Sequence, residues 1–317
     1  MIVGTGWGTR DIIRKNDCTI LYIFAWTQGR GEDGSLVMVQ KKGSRRKKAP
    51  RVILYCGSDP SARDGQLFFL DLFWKLMAAG REKGYEIFPV MDGRSGPQLG
   101  TPPAEVQAML KDGKADGIIG IMLFQSMLDW IRESGLPHVA LFEGRGTELV
   151  NFDYLKFIDL VFDRFAELDC QSIGMMLPNH LANADRMEHM DKAAARTGLK
   201  INYEWILVSM KNGEFDGYSR FCSLWGMKQK PDGLAIFPDI TARGAVTAML
   251  EKNVKVPGKI KLILHRNAQT PYPVPFACDW VENSTASMTA ALWSQLEAQW
   301  RGDVLREISV PFSLVKG

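Results

Sequence analysis

The sequence predicts an α/β fold in which two doubly wound parallel sheets face each other across a ligand cleft. Apolar, strand-like runs alternate with stretches of helical periodicity from residue 51 to residue 310. This alternation is typical of parallel sheets with helices on both faces. About ten such units are present, which is too many for one compact sheet. Polar residues directly follow several strands, where open parallel sheets bind their ligands.

The first predicted sheet begins with the buried run Val52–Cys56, which ends in the loop-forming residues Gly57 to Pro60. Apolar residues then recur at helical spacing up to Lys83, and Gly84 ends this helix. The same alternation continues to Phe142. It predicts further strands at 85–90, 116–123 and 137–142, and helices at 103–110 and 124–134.

A second sheet is predicted from the rest of the chain. Its first part contains helices at 154–168, 182–197 and 216–227, and strands at 172–177 and 205–208. The last part is the clearest, because a strand, a loop, a helix, a Pro-Gly break and a strand follow one another. Its landmarks are Pro231–Asp239, Ala242–Val246, Pro257-Gly258, Ile260–His265 and Cys278–Trp280, before a final helix.

The composition is that of a globular protein, with 46% hydrophobic and 24% charged residues. The cysteines are scattered and odd in number, so we expect no disulfide framework and a reducing, cytoplasmic compartment. No histidine pair has the spacing of a zinc site, and we expect neither a metal nor a cofactor. The cysteines are Cys18, Cys56, Cys170, Cys222 and Cys278.

Residues 1–50 do not resemble a complete domain. The run 35–40 is strand-like, and a cluster of basic residues follows it. Such a cluster is typical of a solvated tether, but it would also neutralise nucleic-acid phosphates, and both interpretations stay open. The candidate DNA contacts are Lys41, Lys42, Arg45, Arg46, Lys47 and Lys48.

Motifs of common enzymes are missing from the sequence. There is no Gly-x-Ser-x-Gly elbow and no Walker-type phosphate loop, and the glycines at 4, 6 and 8 follow no strand. We therefore expect a binding protein rather than an enzyme.

Candidate ligand contacts stand after the predicted strands. Asp239 is the strongest, because a carboxylate there can accept two hydroxyl groups, although it could instead cap the next helix. Arg266 and Asn267 follow the next strand. Residues after the first and third strands have equally good structural roles in capping or packing. These further candidates are Asp59, Arg63, Gln66, Phe124 and Gln125.

Several segments, in their order, resemble the lactose-repressor and galactose-repressor family. They are Lys114–Ile121, Leu136–Phe142, Val150–Asp153, Pro231–Asp239, Ala242–Val246 and Val256–Ile260. The resemblance covers about residues 51–315. It implies the fold of the type I periplasmic sugar-binding proteins.

The resemblance also implies an organisation and a function. One lobe would comprise residues 51–149 and 280–303, and the other residues 150–279 and 304–317. Asp153 and Arg186 would lie in the cleft, and Asp279 in the cleft or at the hinge. The family implies a homodimeric, cytoplasmic transcription regulator that binds DNA and a small carbohydrate-like effector, without a membrane partner.

The chain departs from the family at several places, among them His189-Met190 in place of the family's Gly-Phe after Arg186 and the lack of a clean helix-turn-helix in residues 1–50. His265-Arg266-Asn267-Ala268 replaces the family's Gly-Phe-Asp-Asp, so a particular sugar is not implied. Residues 34–46 resemble the β-hairpin wing of a gluconate-repressor-type winged helix, and we expect residues 1–50 to be a partial or degenerate DNA-binding segment with its basic linker. A solute-binding protein for a transporter and a metabolic enzyme on a similar scaffold remain alternative functions.

Overall fold

The computed structural model describes residues 26–30, 36–40, 49–59, 67–94, 101–209 and 213–317. The chain forms two compact units, Met1–Lys48 and Ala49–Gly317. In the first unit, β1 (Trp26–Arg30) pairs antiparallel with β2 (Leu36–Gln40). The predicted strand at 35–40 is thereby confirmed. The basic cluster at 41–48 lies outside the described residues.

The second unit contains two six-stranded sheets, and the first of them is parallel throughout. Its strand order is β13-β7-β6-β5-β3-β4. Val52 and Leu54 point to one face and Ile53 and Tyr55 to the other, and all four are buried. Apolar residues on both faces require helices on both faces. The strands are β3 (Arg51–Cys56), β4 (Glu86–Met91), β5 (Gly117–Ile121), β6 (His138–Leu141), β7 (Leu149–Phe152) and β13 (Ile308–Val310).

Four of the described helices cover this sheet, and the sheet together with these helices forms lobe 1. On one face, α1 (Leu67–Glu82) and α8 (Thr285–Arg301) contribute residues such as Leu72, Leu76 and Trp293 to the core. On the other face, α2 (Ala104–Lys111) and α3 (Gln125–Glu133) pack against Ile53 and Ile118.

The second sheet forms the centre of lobe 2 and has the order β14-β12-β11-β10-β8-β9. All its pairs are parallel except that of the edge strand β14. Helices α4 (Tyr154–Glu167) and α5 (Ala184–Thr197) cover one face, and α6 (Glu214–Gly226) and α7 (Asp239–Glu251) the other. The strands are β8 (Ser172–Pro178), β9 (Lys200–Ser209), β10 (Gly233–Ile236), β11 (Lys261–Asn267), β12 (Asp279–Asn283) and β14 (Ser313–Val315).

Helices α6 and α7 approach each other through two glycines. A Cβ atom on Gly217 would lie 2.0 Å from the carbonyl oxygen of Thr241. A Cβ atom on Gly244 would lie 1.7 Å from the carbonyl oxygen of Glu214. Any larger residue at either position would force the two helix backbones apart.

The chain crosses between the lobes three times, after β7, after β12 and between β13 and β14. The predicted fold class is confirmed, but the lobe boundaries differ from the prediction by a few residues. Residues 150–152 and 308–310 belong to the first sheet, and residues 280–283 to the second. The reason is that each strand keeps its ladder of hydrogen bonds to its own sheet up to its last residue, before the chain crosses. None of the described helices is both long and apolar enough to span a membrane.

Candidate functional site

A cavity of about 440 Å³ lies between the carboxyl ends of the two sheets. Both lobes contribute to its walls, mostly through residues that end strands or closely follow them, together with Phe68 and Phe69 at the start of α1. Its size and its position match those of small-molecule sites in open α/β folds. The cavity is therefore the candidate ligand site.

Lobe 1 contributes a mainly apolar wall. Phe68 and Phe152 lie with their ring centroids 5.4 Å apart, and Phe68 and Phe69 are in edge-to-face contact at the same distance. Only two polar residues from this lobe line the cavity among the described residues, Glu143 and Asn151. The apolar members are Phe68, Phe69, Met122, Leu123, Leu141, Phe142 and Phe152.

Lobe 2 contributes a wall of different character. Its aromatic residues are Tyr154 and Phe237, whose rings are in edge-to-face contact at 6.1 Å. Beside them lie four polar side chains that end β11 and β12 or begin α7, and we call these four residues the polar floor. The polar floor comprises Asp239, His265, Asn267 and Asn283.

Hydrogen bonds fix the geometry of the polar floor. The main-chain N–H of Asp239 donates to Nδ1 of His265 at 3.0 Å, and Asn267 Nδ2 donates to Oδ2 of Asp239 at 3.1 Å. Because Nδ1 accepts a hydrogen bond, the neutral imidazole carries its proton on Nε2. Asp239 is also the first residue of α7, where the helix N-terminus favours a carboxylate.

Burial shifts the ionisation of these groups. It lowers the pKa of His265 to about 3, and the nearby Asn283 side chain opposes that shift only weakly. Burial raises the pKa of Asp239, and Arg243 opposes this change. His265 is therefore neutral at physiological pH.

Several polar atoms of the floor lack a hydrogen-bond partner among the described residues. They are Nε2 of His265, Oδ1 of Asn267 and Oδ1 of Asn283, and all three are buried. Native proteins satisfy most of their buried polar atoms, and each exception calls for an explanation. A set of three at one wall of a cavity is typical of a binding site.

An ion pair joins the two lobes beside the cavity. Arg186 Nη1 of α5 lies 2.6 Å from Oε1 of Glu143, which follows β6. The same Arg186 nitrogen donates to the carbonyl oxygen of His180, and its guanidinium lies 4.7 Å from the ring centroid of Tyr154. The ion pair between Glu143 and Arg186 therefore links lobe 1 to the part of lobe 2 that contains Tyr154.

Of the predicted ligand contacts, Asp239 and Asn267 line the cavity. Arg186 lies beside it, in the ion pair with Glu143. Asp59 follows β3 and is not among the described residues that line the cavity. Arg63 and Gln66 lie outside the described residues.

The other candidates are not among the residues that line the cavity, and the structure gives each one a local position or partner. Asp153 caps α4 by accepting from the main chain of Lys156 at 2.9 Å. Phe124 is 41% exposed, and Gln125 donates to Asp129 on the surface of α3. Arg266 lies near the carboxyl end of β11, and Asp279 is the first residue of β12, towards the opposite edge of the second sheet.

Arg266 pairs with Glu282 at 2.5 Å and stacks on Trp280, with 4.4 Å between guanidinium and ring centroid. Asp279 pairs with Arg164 at 2.6 Å and accepts from the main chain of Gly317 at 2.9 Å. In this conformation both side chains stabilise lobe 2 rather than face the cavity.

The ligand contacts predicted from the sequence do not include Asn283, Phe142 and Tyr154, and His265 entered only as part of the run that ends its strand. Asn283 ends β12, Phe142 follows β6 and Tyr154 begins the helix after β7, just as Asn267 ends β11 and Asp239 follows β10. That position was the available signal. Within the described residues, no group of three or more His, Cys, Asp or Glu side chains could hold a metal ion.

Residues 162–303 match the family model of the periplasmic binding protein-like domain. The HTH-type transcriptional repressor PurR of Haemophilus influenzae (strain PittEE) is 26% identical over 162 residues, which are 49% of this chain and 48% of that protein. The aligned segments span about half or less of the length of the curated relatives that the chain matches.

Solved structures resemble the chain over a longer range. A putative transcriptional regulator LacI from Bacillus cereus subsp. cytotoxis NVH 391-98 has a TM-score of 0.71 at 17% identity, with 84% of this chain and 97% of that one covered. The transcriptional regulator CelR in its cellobiose complex has a TM-score of 0.69 at 14% identity, covering 84% and 83%. At these identities the likeness establishes the fold.

Proposed function

We propose that this chain, whose second unit is a two-lobed effector-binding domain with the fold of the LacI-family regulators, is a ligand-responsive transcription regulator. Its effector would occupy the cavity between the lobes. The relatives named above are transcription regulators, which favours a binding function over an enzymatic one.

One observation carries the proposal: the cavity wall is divided between two lobes that are joined by three crossovers. A ligand that contacts both walls binds the closed arrangement more tightly than an open one. By linkage, it shifts the population towards the closed arrangement. A regulator needs such a two-state element.

The effector we propose is a small carbohydrate-like molecule. Aromatic rings such as Phe142 and Tyr154 offer faces on which a sugar ring can stack. Asp239 and Asn267 offer oxygens that accept from hydroxyl groups. The similarity to a regulator solved with cellobiose supports this chemical class.

The chain crossover after β12 would couple closure of the two lobes to the position of α1. Thr285 donates to Asp71 of α1 at 2.5 Å, and Lys75 of α1 donates to the same threonine hydroxyl at 2.7 Å. The main chain of Thr285 in turn donates to Gln269 of lobe 2 at 3.0 Å. A change in lobe angle would therefore move α1.

DNA binding is assigned by this proposal to the N-terminal unit. The basic cluster Lys41, Lys42, Arg45, Arg46, Lys47 and Lys48 would contact phosphates, which gives affinity without sequence readout. We propose that the protein acts in the cytoplasm as a homodimer, since two copies place two such segments on one operator.

The test combines ligand binding and DNA binding. A thermal-shift screen of sugars against the purified chain should give a ligand whose stabilisation disappears in Asp239→Ala. The same ligand should change the affinity for operator DNA, selected from random sequence, by about fivefold or more. Glu188→Gln, in an exposed pair with Lys192 on α5, serves as the control. A protein that binds ligand without any change in DNA affinity would contradict the proposal.

A further inference from the structure

The walls of the cavity differ in chemistry between the two lobes. Lobe 1 presents four phenylalanine rings together with Met122, Leu123 and Leu141, and its polar lining residues are Glu143 and Asn151, of which Asn151 has an unpaired Oδ1. The other three lining side chains with an unpaired atom, His265, Asn267 and Asn283, belong to lobe 2. A simple sugar carries hydroxyl groups around its whole ring. Those hydroxyl groups that face the phenylalanine rings would lose hydrogen bonds with water without regaining them.

The charged residues that line the cavity do not favour an anionic ligand. The described residues that line it include two carboxylates, Asp239 and Glu143, and neither lysine nor arginine. Two guanidinium groups near the site are already engaged, Arg186 with Glu143 at 2.6 Å and Arg243 over the ring of Tyr272 at 4.7 Å. A ligand carboxylate or phosphate would be desolvated beside the carboxylate of Asp239, and no lysine or arginine among the described lining residues would pair with it.

The polar floor offers a defined set of hydrogen-bonding atoms. His265 carries its proton on Nε2, because its Nδ1 accepts from the main chain of Asp239. Oδ1 of Asn267 and Oδ1 of Asn283 are acceptors without a partner. The floor thus matches a neutral group that mainly donates hydrogen bonds and also accepts, which describes a set of hydroxyl groups.

From these features together we infer that the effector is a neutral glycoside with a planar, uncharged aglycone. Its sugar hydroxyls would contact the polar floor of lobe 2, and its aglycone would stack against Phe68, Phe69, Phe142 and Phe152 of lobe 1. The inference rests on the proposed function only in taking the cavity as the effector site. The aglycone then bridges the lobes, so that closure depends on it.

Two matched sets of probes test the ligand class by calorimetry on the full chain. One set is phenyl β-glucoside, glucose and phenyl β-glucuronide, and the other is adenosine, ribose and adenosine 5′-monophosphate. In at least one set, the neutral glycoside should bind about tenfold or more tightly than either the free sugar or the anionic analogue. Phe142→Ala should abolish the advantage over the free sugar, and Phe215→Ala, at an exposed phenylalanine of α6, should preserve it.

Other outcomes contradict the inference. If free sugars bind as tightly as the glycosides, the apolar wall of lobe 1 does not contribute to binding. If the anionic analogues bind equally or more tightly, the cavity does not select against negative charge. The class is also wrong if no probe binds at about 10 mM. Binding as expected without any effect on operator affinity would instead contradict the proposed function and leave this inference intact.

A second measurement needs no ligand. If Asn283 is present for binding, Asn283→Leu should remove a buried acceptor without a partner and raise the melting temperature of the free protein by about 2–4 °C. The same variant should lose the stabilisation by the neutral glycoside. A fall in melting temperature would show that Asn283 has a structural role and would overturn its assignment to the site.

Discussion

The main-chain N–H of Asp239 donates to Nδ1 of His265 across 3.0 Å, and this contact ties the start of α7 to the end of β11. It makes His265 a buried acceptor that must stay neutral. Protonation of Nδ1 would place two donors against each other and a charge in a buried site. Folding and the protonation of this histidine are therefore linked.

The first prediction concerns this linkage. The pKa of His265 is about 3 in the folded protein and about 6.5 in the unfolded chain. Above pH 6.5 the residue is neutral in both states and has no effect on the pH dependence. Below pH 6.5 only the unfolded state gains the proton, so the free energy of unfolding should fall by about 1.4 kcal/mol per pH unit down to about pH 3.

His265→Gln keeps an acceptor but does not titrate in this range. Urea denaturation between pH 7 and pH 4.5 should therefore show a pH slope shallower by about one proton in the variant than in the wild type. Equal slopes for the two proteins would show that His265 is protonated in the folded state, against the structure.

The second prediction concerns the contact of α6 with α7. Gly217→Ala and Gly244→Ala should each lower the free energy of unfolding by about 3 kcal/mol or more, because the new methyl group meets a backbone carbonyl of the facing helix. Gly226→Ala, at the end of α6 with open space around it, should change stability by less than about 1 kcal/mol. Similar values for all three variants in urea denaturation would show that the helices can separate without cost.

The same contact shows where the sequence was informative and where it was not. Periodicity and strand length predicted the α/β fold, the described α-helices and most of the longer strands, because these signals are local. The short strands β7, β13 and β14 were not predicted. The close approach of α6 and α7 places Gly217 against Thr241 and Gly244 against Glu214. The members of each pair are far apart in the sequence, so local patterns do not reveal the contact. The polar floor is similar, since Asp239, His265 and Asn283 meet only after three strands pair.

Arg266 and Asp279 illustrate the opposite difficulty. Arg266 lies near the carboxyl end of β11, where ligand contacts are expected, but its side chain pairs with Glu282. Asp279 is the first residue of β12, at the opposite edge of the sheet from the cavity, and it pairs with Arg164. Position along a strand predicts the edge of the sheet on which a residue lies. It does not predict the direction of its side chain or the partner that the side chain reaches.

The third prediction concerns a buried carboxylate of lobe 1. Asp92 accepts from Tyr55 at 2.6 Å and pairs with Arg94 at 2.6 Å, and Arg94 is the main cause that lowers the pKa of Asp92 to about 2. The stability from this lowered pKa is complete above about pH 4. It should be lost as the pH falls to 2, and it amounts to about 2 kcal/mol.

Asp92→Asn tests this by urea denaturation. The variant should be less stable than the wild type at pH 6 by about 2 kcal/mol, and the difference should shrink towards pH 2. A difference that stays constant over this range would mean that the charge of Asp92 does not contribute.

The fourth prediction concerns the thiols. Burial raises the pKa values of Cys56, Cys170 and Cys278 to about 11, so little thiolate forms at neutral pH. Cys222 is only half-buried. In a Cys18→Ser background, Ellman's reagent at pH 8 should modify one thiol rapidly, and Cys222→Ser should abolish that phase. Rapid modification that persists in the double variant would show that a buried thiol is accessible.

The fifth prediction concerns the ion pair between the lobes. Glu143 and Arg186 are 2.6 Å apart and belong to different lobes, so their attraction is present only when the lobes are close. Glu143 is 40% exposed, so solvent screens the pair and its contribution is about 1 kcal/mol. Glu143→Gln should therefore lower the population of the closed arrangement and weaken effector binding by about fivefold.

Small-angle X-ray scattering of the free protein measures the change in arrangement, and calorimetry measures the affinity. Glu143→Gln should increase the radius of gyration of the free protein, whereas Glu188→Gln, which breaks an exposed pair within α5, should leave it unchanged. Saturating ligand should return the Glu143→Gln variant to the wild-type radius, because the ligand still contacts both walls. If the radius of the free variant equals that of the wild type and its affinity is unchanged, the Glu143–Arg186 pair does not control closure.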